Sequence, residues 1–247
     1  MADNPQPLRH HLAELRRRLL VSFIALVGGL IAAFVFRDYI FDVLMRPLGD
    51  QELYVYTLTG SIGPAMKVAL LGGVIVALPV FVYQIIGFMA PALSPGERRF
   101  LNRLIPGVLL AFCGGVAFAY FVLLPPIVTF LLEFGSEVAI IQPSLESYIN
   151  TVTALMFWMG VAFETPFVMY LLSAIGITSP EMYSKFRRPW IVVSVVLGAV
   201  ITPTFDPVNQ AMVAAPFLVL YEVGILLSRF ARRGKRRGVG MQSQGRN

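Results

Sequence analysis

The chain has 247 residues, of which 57% are hydrophobic and only 14% are charged. A soluble domain of this size carries about 25% charge, so the composition excludes an ordinary soluble protein and predicts an integral membrane protein. The single cysteine, Cys113, excludes an internal disulfide and a Cys-x-x-Cys metal or redox pair. The first apolar run, residues 19–36, is too long for the apolar part of a cleavable signal peptide, and we expect no organelle transit peptide. We therefore expect a bacterial or archaeal plasma membrane.

Runs with few or no charges predict an all-α polytopic protein with six transmembrane helices, since a bilayer core about 30 Å thick needs about 20 apolar residues. The predicted helices lie in residues 19–36, 68–96 (ending near Ala90), 104–132 (ending near Leu124, before Pro125 and Pro126), 147–180, 189–205 and 207–228. Helices 5 and 6 are both expected to be short, because about 14 residues between the prolines of helix 5 reach only ~21 Å and helix 6 must return within about 18 residues. Helices 5 and 6 therefore either thin the bilayer locally or form a re-entrant hairpin.

The distribution of positive charge predicts the orientation. All lysines and arginines except Arg37, Arg46 and Lys67 fall in the N-terminal segment, two alternate loops and the tail, which places both termini in the cytoplasm. We expect one integral membrane domain over residues 1–247, made of a cytoplasmic interfacial helix (1–18), a helical membrane core (19–228) and a basic cytoplasmic tail (229–247). The tail is interpreted as a topology anchor that contacts anionic lipids and binds no nucleic acid.

The motifs of common active sites are missing from the sequence. Both histidines, His10 and His11, precede the first helix, and there is no His-Glu-x-x-His, no Gly-x-Ser-x-Gly with a downstream histidine, and no phosphate-binding loop. We therefore predict no enzymatic activity, no catalytic residue, no metal and no cofactor. Two classes remain open: a component of a protein translocase and a small-solute secondary transporter.

A few carboxylates stand out in this basic, apolar chain. Glu164 lies inside helix 4, two residues before Pro166, where an ionisable group either lines a hydrated cavity or bonds a neighbouring helix. Glu14 can pair with Arg17 or Arg18 along a helix, and Glu97 completes a capping box that opens helix 3. Because acidic residues are scarce on the cytoplasmic side, a guanidinium partner would dock at these carboxylates.

In order and spacing, the sequence resembles the TatC family, the multispanning subunit of the twin-arginine protein translocase. The stretches that carry the resemblance are His11–Arg18, Phe88–Leu93 with Glu97, Arg98 and Arg99, Ala117–Phe121, Phe163–Pro166, Gly176–Pro180, Thr202–Pro203 with Asp206 and Gln210, and Ser228–Phe230.

The resemblance implies a cupped arrangement of six helices, with both termini inside, that recognises the Arg-Arg signal peptides of folded export substrates. It implies that Glu14, Glu97, Phe88 and Arg16 form the signal-peptide site, with the glutamates taking the arginines, and that Glu164 lines a polar concavity. It further implies that Thr202 and Gln210 face single-span subunits of the TatA and TatB type. A homo-oligomeric complex driven by the proton gradient would follow.

Overall fold

The structure, a computed structural model, describes residues 8–49, 51–89, 95–134, 142–202 and 206–244; the side chains of residues 8–11, 89, 95–104 and 232–244 are not described. The described chain is helical apart from its connections and one isolated parallel bridge between Tyr54 and Ser144. The helices are α1 (Leu8–Val35), α2 (Arg37–Met45), α3 (Ile62–Met89), α4 (Pro95–Phe118), α5 (Leu124–Glu133), α6 (Leu145–Ile175), α7 (Pro180–Lys185), α8 (Arg187–Ile201) and α9 (Pro207–Gln244).

Five segments in the described part of the chain are long and apolar enough to cross a membrane. They are Leu12–Val35, Ile62–Phe88, Ile105–Glu133, Leu145–Ile175 and Pro207–Ala231. The predicted all-helical membrane fold is thus confirmed. Helix α8 has only 15 residues, a length of about 22 Å against a core of about 30 Å, so helix 5 is short as predicted. The prediction of a short helix 6 is wrong, because the apolar part of α9, Pro207–Ala231, has 25 residues and is long enough to cross. Six full crossings stay a prediction.

The predicted end of the third helix near Leu124 is wrong. A π-helical turn, Ala119–Leu123, joins α4 to α5, and the helical path continues through Pro125 and Pro126 to Glu133. A π turn offsets the regular hydrogen-bond ladder. The two prolines then fall in the first turn of α5, where a missing N–H costs little.

Two predicted boundaries at the chain ends are also wrong. The N-terminal interfacial segment is not a separate helix, because α1 runs without a break from Leu8 to Val35. Likewise the basic tail does not begin after a helix that ends at 228, because α9 continues to Gln244. Charge alone does not stop a helix, and neither stretch contains a proline at the predicted boundary.

Helix α6 is the centre of the fold and packs against α3, α4 and α9. Its residues Ile149, Val152, Leu155 and Met159 are almost completely buried in the main hydrophobic core. Glycines allow the helix backbones to approach closely at the crossings. A Cβ atom on Gly115 of α4 would overlap the Met159 carbonyl oxygen of α6, so the close α4–α6 contact depends on a residue without a side chain.

The bundle has two chemically different ends. At one end, which we name the capped end, α2 and residues 51–57 lie across the helices. The Tyr120 hydroxyl donates to the Val43 carbonyl at 2.6 Å, and the Tyr148 hydroxyl donates to the Leu44 carbonyl at 2.7 Å. Tyr54 pairs with the chain around Ser144. The opposite end, where α1 begins and α3 and α6 end, we name the basic end. It carries the arginines of α1, Arg187 and Arg188.

Candidate functional site

The N-terminal part of α1 presents a sheltered carboxylate–guanidinium pair at the basic end. Glu14 and Arg18 lie one helical turn apart, and both Nε and Nη2 of Arg18 donate to Glu14 Oε1, at 3.0 and 2.7 Å. The side chains of Arg18 and Glu14 are only 22% and 27% exposed. A guanidinium that donates two N–H groups to one carboxylate has both a fixed orientation and a charge-assisted bond. This pair confirms the predicted helix contact between Glu14 and Arg18.

Arg18 also connects α1 to the end of α3. Its Nη1 donates to the side-chain oxygen of Gln84 at 3.1 Å and approaches the Gln84 carbonyl at 3.5 Å. The guanidinium lies against Gly87: a Cβ atom there would overlap Nη1 and lie 2.9 Å from Cζ. Glycine at this position therefore leaves the space that the guanidinium occupies.

Phe88, a predicted site residue, adjoins this cluster. It follows Gly87 and lies four residues after Gln84, so it is on the same side of α3 as Gln84. Its side chain is partly buried and takes part in contacts of its own. The structure thus brings Glu14 and the Phe88 end of α3 together through Arg18.

The other two residues predicted for this site are Arg16 and Glu97, and neither takes part in the hydrogen bonds of Arg18. Arg16 is exposed, and its position two residues after Glu14 puts it on another face of α1, away from the bonds between Arg18 and Gln84. The backbone of Glu97 lies in the first turn of α4, which begins at Pro95 as predicted. The side chain of Glu97 lies outside the described residues, so its distance to Glu14 stays a prediction.

Glu164 lines an apolar cavity within the membrane-spanning part of α6. The cavity has a volume of about 320 Å³ and is bordered by Leu78, Phe81 and Val82 of α3, Val108 of α4, and Phe167 of α6. Oε1 of Glu164 is buried, and no described residue bonds to it. The backbone of Phe112 in α4 interacts with the carboxylate, so a bond to a neighbouring helix and hydration of the cavity both stay open as predictions.

Thr202 and Gln210 meet at the turn between α8 and α9 around Gly198. The Thr202 hydroxyl donates to the Gly198 carbonyl at 2.7 Å, and a Cβ atom on Gly198 would lie 2.8 Å from the Gln210 carbonyl oxygen. Thr202 is only 6% exposed. Gln210 is half-buried and donates through Nε2 to the Val195 carbonyl at 2.9 Å. Of the two, Gln210 is therefore the residue that a partner helix can reach.

Sequence reasoning missed Gln84 and Gly87 as parts of the site at the basic end. Gln84 was detectable as a polar residue in the uncharged run 68–96, in the half of that run nearer the basic end. Nothing in a single sequence marks Gly87, because its role is the space that it leaves for a side chain from another helix. No group of three or more His, Cys, Asp or Glu side chains suited to a metal ion occurs within the described residues.

Comparison with known proteins gives one consistent family. Residues 10–216 match the family model described as Sec-independent protein translocase protein (TatC). The chain is 39% identical over 236 residues to the protein of that name from Aquifex aeolicus (93% of this chain, 98% of that one), and 35% identical over 234 residues to the one from Escherichia coli K12 (92% and 90%). It superposes on a crystal structure titled as the twin arginine translocase receptor TatC with a TM-score of 0.81 at 38% identity, covering 90% of this chain and 99% of that one.

Proposed function

The chain belongs to the TatC family of Sec-independent protein translocase proteins, and we propose that it is the receptor subunit that binds Arg-Arg signal peptides of folded proteins for export. The observation that carries this proposal is the guanidinium already held at Glu14. The Arg18–Glu14–Gln84 arrangement supports it, because here a guanidinium already donates to a carboxylate and to an amide oxygen. A signal arginine presents the same planar set of donors.

Glu14 and Glu97 are the residues proposed to take the two signal arginines. Glu14 lies near the start of α1 and Glu97 lies in the first turn of α4, both at the basic end. Two carboxylates can pair with the two guanidinium groups of the signal peptide. Arg18 is a positioning residue in this account, because it fixes the Glu14 carboxylate against α3. Phe88, next to Gly87, would contact the apolar residues that follow the arginines, and Arg16 on its exposed face would contact the peptide backbone.

The proposal includes topology and partners. Both termini would face the cytoplasm of a bacterial or archaeal inner membrane, with α8 and α9 completing a six-helix path and the proton gradient driving transport. Single-span subunits of the TatA and TatB type would pack on the α8–α9 hairpin, contacting Gln210 while Thr202 supports the turn. Support comes from the exposed valines of α8, which repeat every four residues and form an apolar stripe: Val192, Val196 and Val200.

Site-specific crosslinking tests the receptor function. A photo-crosslinker built into the signal peptide beside its two arginines is expected to attach to the protein from the Arg-Arg peptide and not from its Lys-Lys variant, because an ammonium cannot reproduce the bidentate geometry. Glu97→Gln is expected to keep the fold, since glutamine also serves in a capping box, and to abolish capture. Glu181→Gln is the matched control, an exposed glutamate of α7 at the same end of the bundle.

The result that contradicts the proposal is equal capture of the Lys-Lys peptide, or unchanged capture by both Glu14→Gln and Glu97→Gln. A second measurement separates translocase from transporter. Co-purification with single-span subunits is expected for the translocase, whereas solute uptake by the protein alone would favour the small-solute transporter.

A further inference from the structure

Lys67 is a cation without a described acidic partner, near the capped end of α3. Its ammonium donates a hydrogen bond to Asn150 Oδ1 of α6. No described carboxylate lies within ion-pair distance of it. Because the amide oxygen of Asn150 faces Lys67, the amide nitrogen stays a donor beside it. The hydroxyls of Thr151 and Thr153 donate instead to carbonyls of their own helix, so the N–H donors next to one another here are those of Lys67 and Asn150.

The depth of Lys67 matches the level of lipid phosphates. Helix α3 has 28 residues, about 42 Å in length, which exceeds a bilayer core of about 30 Å by about 6 Å at each end. Lys67 lies five residues after Ile62, about 7.5 Å along the helix. The ammonium, on a flexible stem, therefore reaches the boundary between acyl chains and head groups.

An apolar cavity extends from Lys67 toward the membrane interior. Its volume is about 470 Å³, and Leu70, Leu71, Val74 and Phe157 line it between α3 and α6. Leu70 is 46% exposed, so the cavity is open on one side. A cation above an open apolar groove is complementary to the phosphate and acyl chain of a phospholipid.

Glu146 supplies an opposite charge beside this groove, nearer the capped end. It lies one turn before Asn150 on α6 and borders a second cavity of about 420 Å³ that Asn150 also lines. The carboxylate is exposed. Going outward from the membrane, the protein therefore presents an apolar groove, then a cation with an amide donor, then a carboxylate. An aminophospholipid presents acyl chains, then a phosphate anion, then an ammonium cation, so each charge of the lipid would face an opposite charge of the protein.

We propose that the groove between α3 and α6 binds a phosphatidylethanolamine in the leaflet at the capped end. The phosphate accepts hydrogen bonds from Lys67 and Asn150, the primary ammonium pairs with Glu146, and one acyl chain lies along Leu70, Val74 and Phe157. A phosphatidylglycerol satisfies Lys67 but brings no cation to Glu146, and a phosphatidylcholine brings a cation without N–H donors. The proposal is independent of signal-peptide recognition at the opposite end.

Native mass spectrometry of the delipidated full chain tests this, with phosphatidylethanolamine, phosphatidylglycerol and phosphatidylcholine of identical acyl chains added separately. The wild type is expected to retain phosphatidylethanolamine best. Lys67→Met is expected to reduce that retention about tenfold, the effect of losing one charge-assisted contact. Glu146→Gln is expected to erase the preference over phosphatidylglycerol. Lys185→Met, an exposed lysine of α7 at the basic end, is the matched control and leaves retention unchanged.

Three results would overturn the assignment: phosphatidylglycerol retained as well as phosphatidylethanolamine by the wild type, unchanged retention in Lys67→Met, or an unchanged lipid preference in Glu146→Gln. A thermal unfolding scan checks that each variant is folded. If Lys67→Met does not fold, Asn150→Ala removes the second donor from the other helix and is expected to weaken phosphatidylethanolamine retention as well. Unchanged retention in that variant contradicts the proposal equally.

Discussion

Two adjacent glycines of α1 offer a direct test of how α1 is held against α3. A Cβ atom on Gly29 would lie 2.7 Å from the carbonyl oxygen and 3.2 Å from the Cα atom of Gly73 in α3, whereas a Cβ atom on Gly28 would meet nothing within 4 Å. The atoms that Gly29→Ala would strike belong to the backbone, so no side chain can turn away. Gly28→Ala makes the same chemical change on the open side of the same helix.

The expected difference in stability follows from these distances. An ordinary contact begins near 3.4 Å, so the Gly29→Ala methyl and the Gly73 carbonyl must move apart by about 0.7 Å. Overpacking of this kind costs about 1–3 kcal/mol. Replacing a helical glycine by alanine also stabilises the helix by about 0.5–1 kcal/mol, but both variants share that gain. The difference between the two variants, about 1–3 kcal/mol, therefore reports the α1–α3 contact alone.

Thermal unfolding in detergent and signal-peptide crosslinking measure the two consequences. Gly29→Ala is expected to unfold at a temperature lower than Gly28→Ala by about 2–4 °C for each kcal/mol, the scaling for a chain of this size. Because α1 carries Glu14 and Arg18 while α3 carries Gln84, separating the helices is also expected to reduce crosslinking to the signal peptide. Gly28→Ala should crosslink as the wild type does.

Equal unfolding temperatures for the two variants would refute this reasoning, since they would show that α1 and α3 are not in close backbone contact. A lower unfolding temperature for Gly29→Ala with unchanged crosslinking would refute a different step. It would confirm the packing at Gly29 but show that the position of Glu14 does not depend on it.

Three further changes test other contacts. Gly87→Ala is expected to push the Arg18 guanidinium away from α3 and to lower crosslinking to the signal peptide severalfold. Little change in unfolding temperature is expected, because a flexible side-chain end moves. Unchanged crosslinking would contradict the positioning role of Arg18. Tyr148→Phe removes the hydroxyl that donates to Leu44 and is expected to destabilise the capped end by about 1–2 kcal/mol in thermal unfolding. Glu164→Cys is expected to react with an aqueous maleimide in intact membranes; resistance would show a packed, dry site.

The membrane fold could be predicted from sequence where one physical quantity dominates. Long runs with few or no charges predict α3, α6 and the apolar part of α9, because burying a charge in lipid is costly. The same reasoning failed at Pro125 and Pro126, since a π turn moves the hydrogen-bond ladder and lets the helix continue. No composition rule reveals such a turn. Helix α2 was missed as well, because its nine residues include charges and it lies across the bundle end.

The site could be predicted from sequence only as a set of separate side chains. Glu14 and its Arg18 partner follow from helical spacing, which is a local relation. The contact of Arg18 with Gln84 joins residues 66 positions apart, and its space depends on Gly87. Such relations arise from tertiary packing, so a single sequence carries no periodic signal for them.

The cavities at Lys67 and at Glu164 are consecutive parts of one face between the same two helices. On α6 the lining residues run from Asn150 through Phe157 to Glu164, and on α3 they run from Lys67 to Ile86, each at helical spacing. The α3 side ends beside Gln84, where Arg18 holds Glu14. Under the proposed function, an apolar peptide segment that follows two docked arginines would therefore meet this face first at its basic end. Glu164 is then the polar group that such a segment would encounter inside the membrane, and a lipid bound at Lys67 would occupy the far end of the same groove.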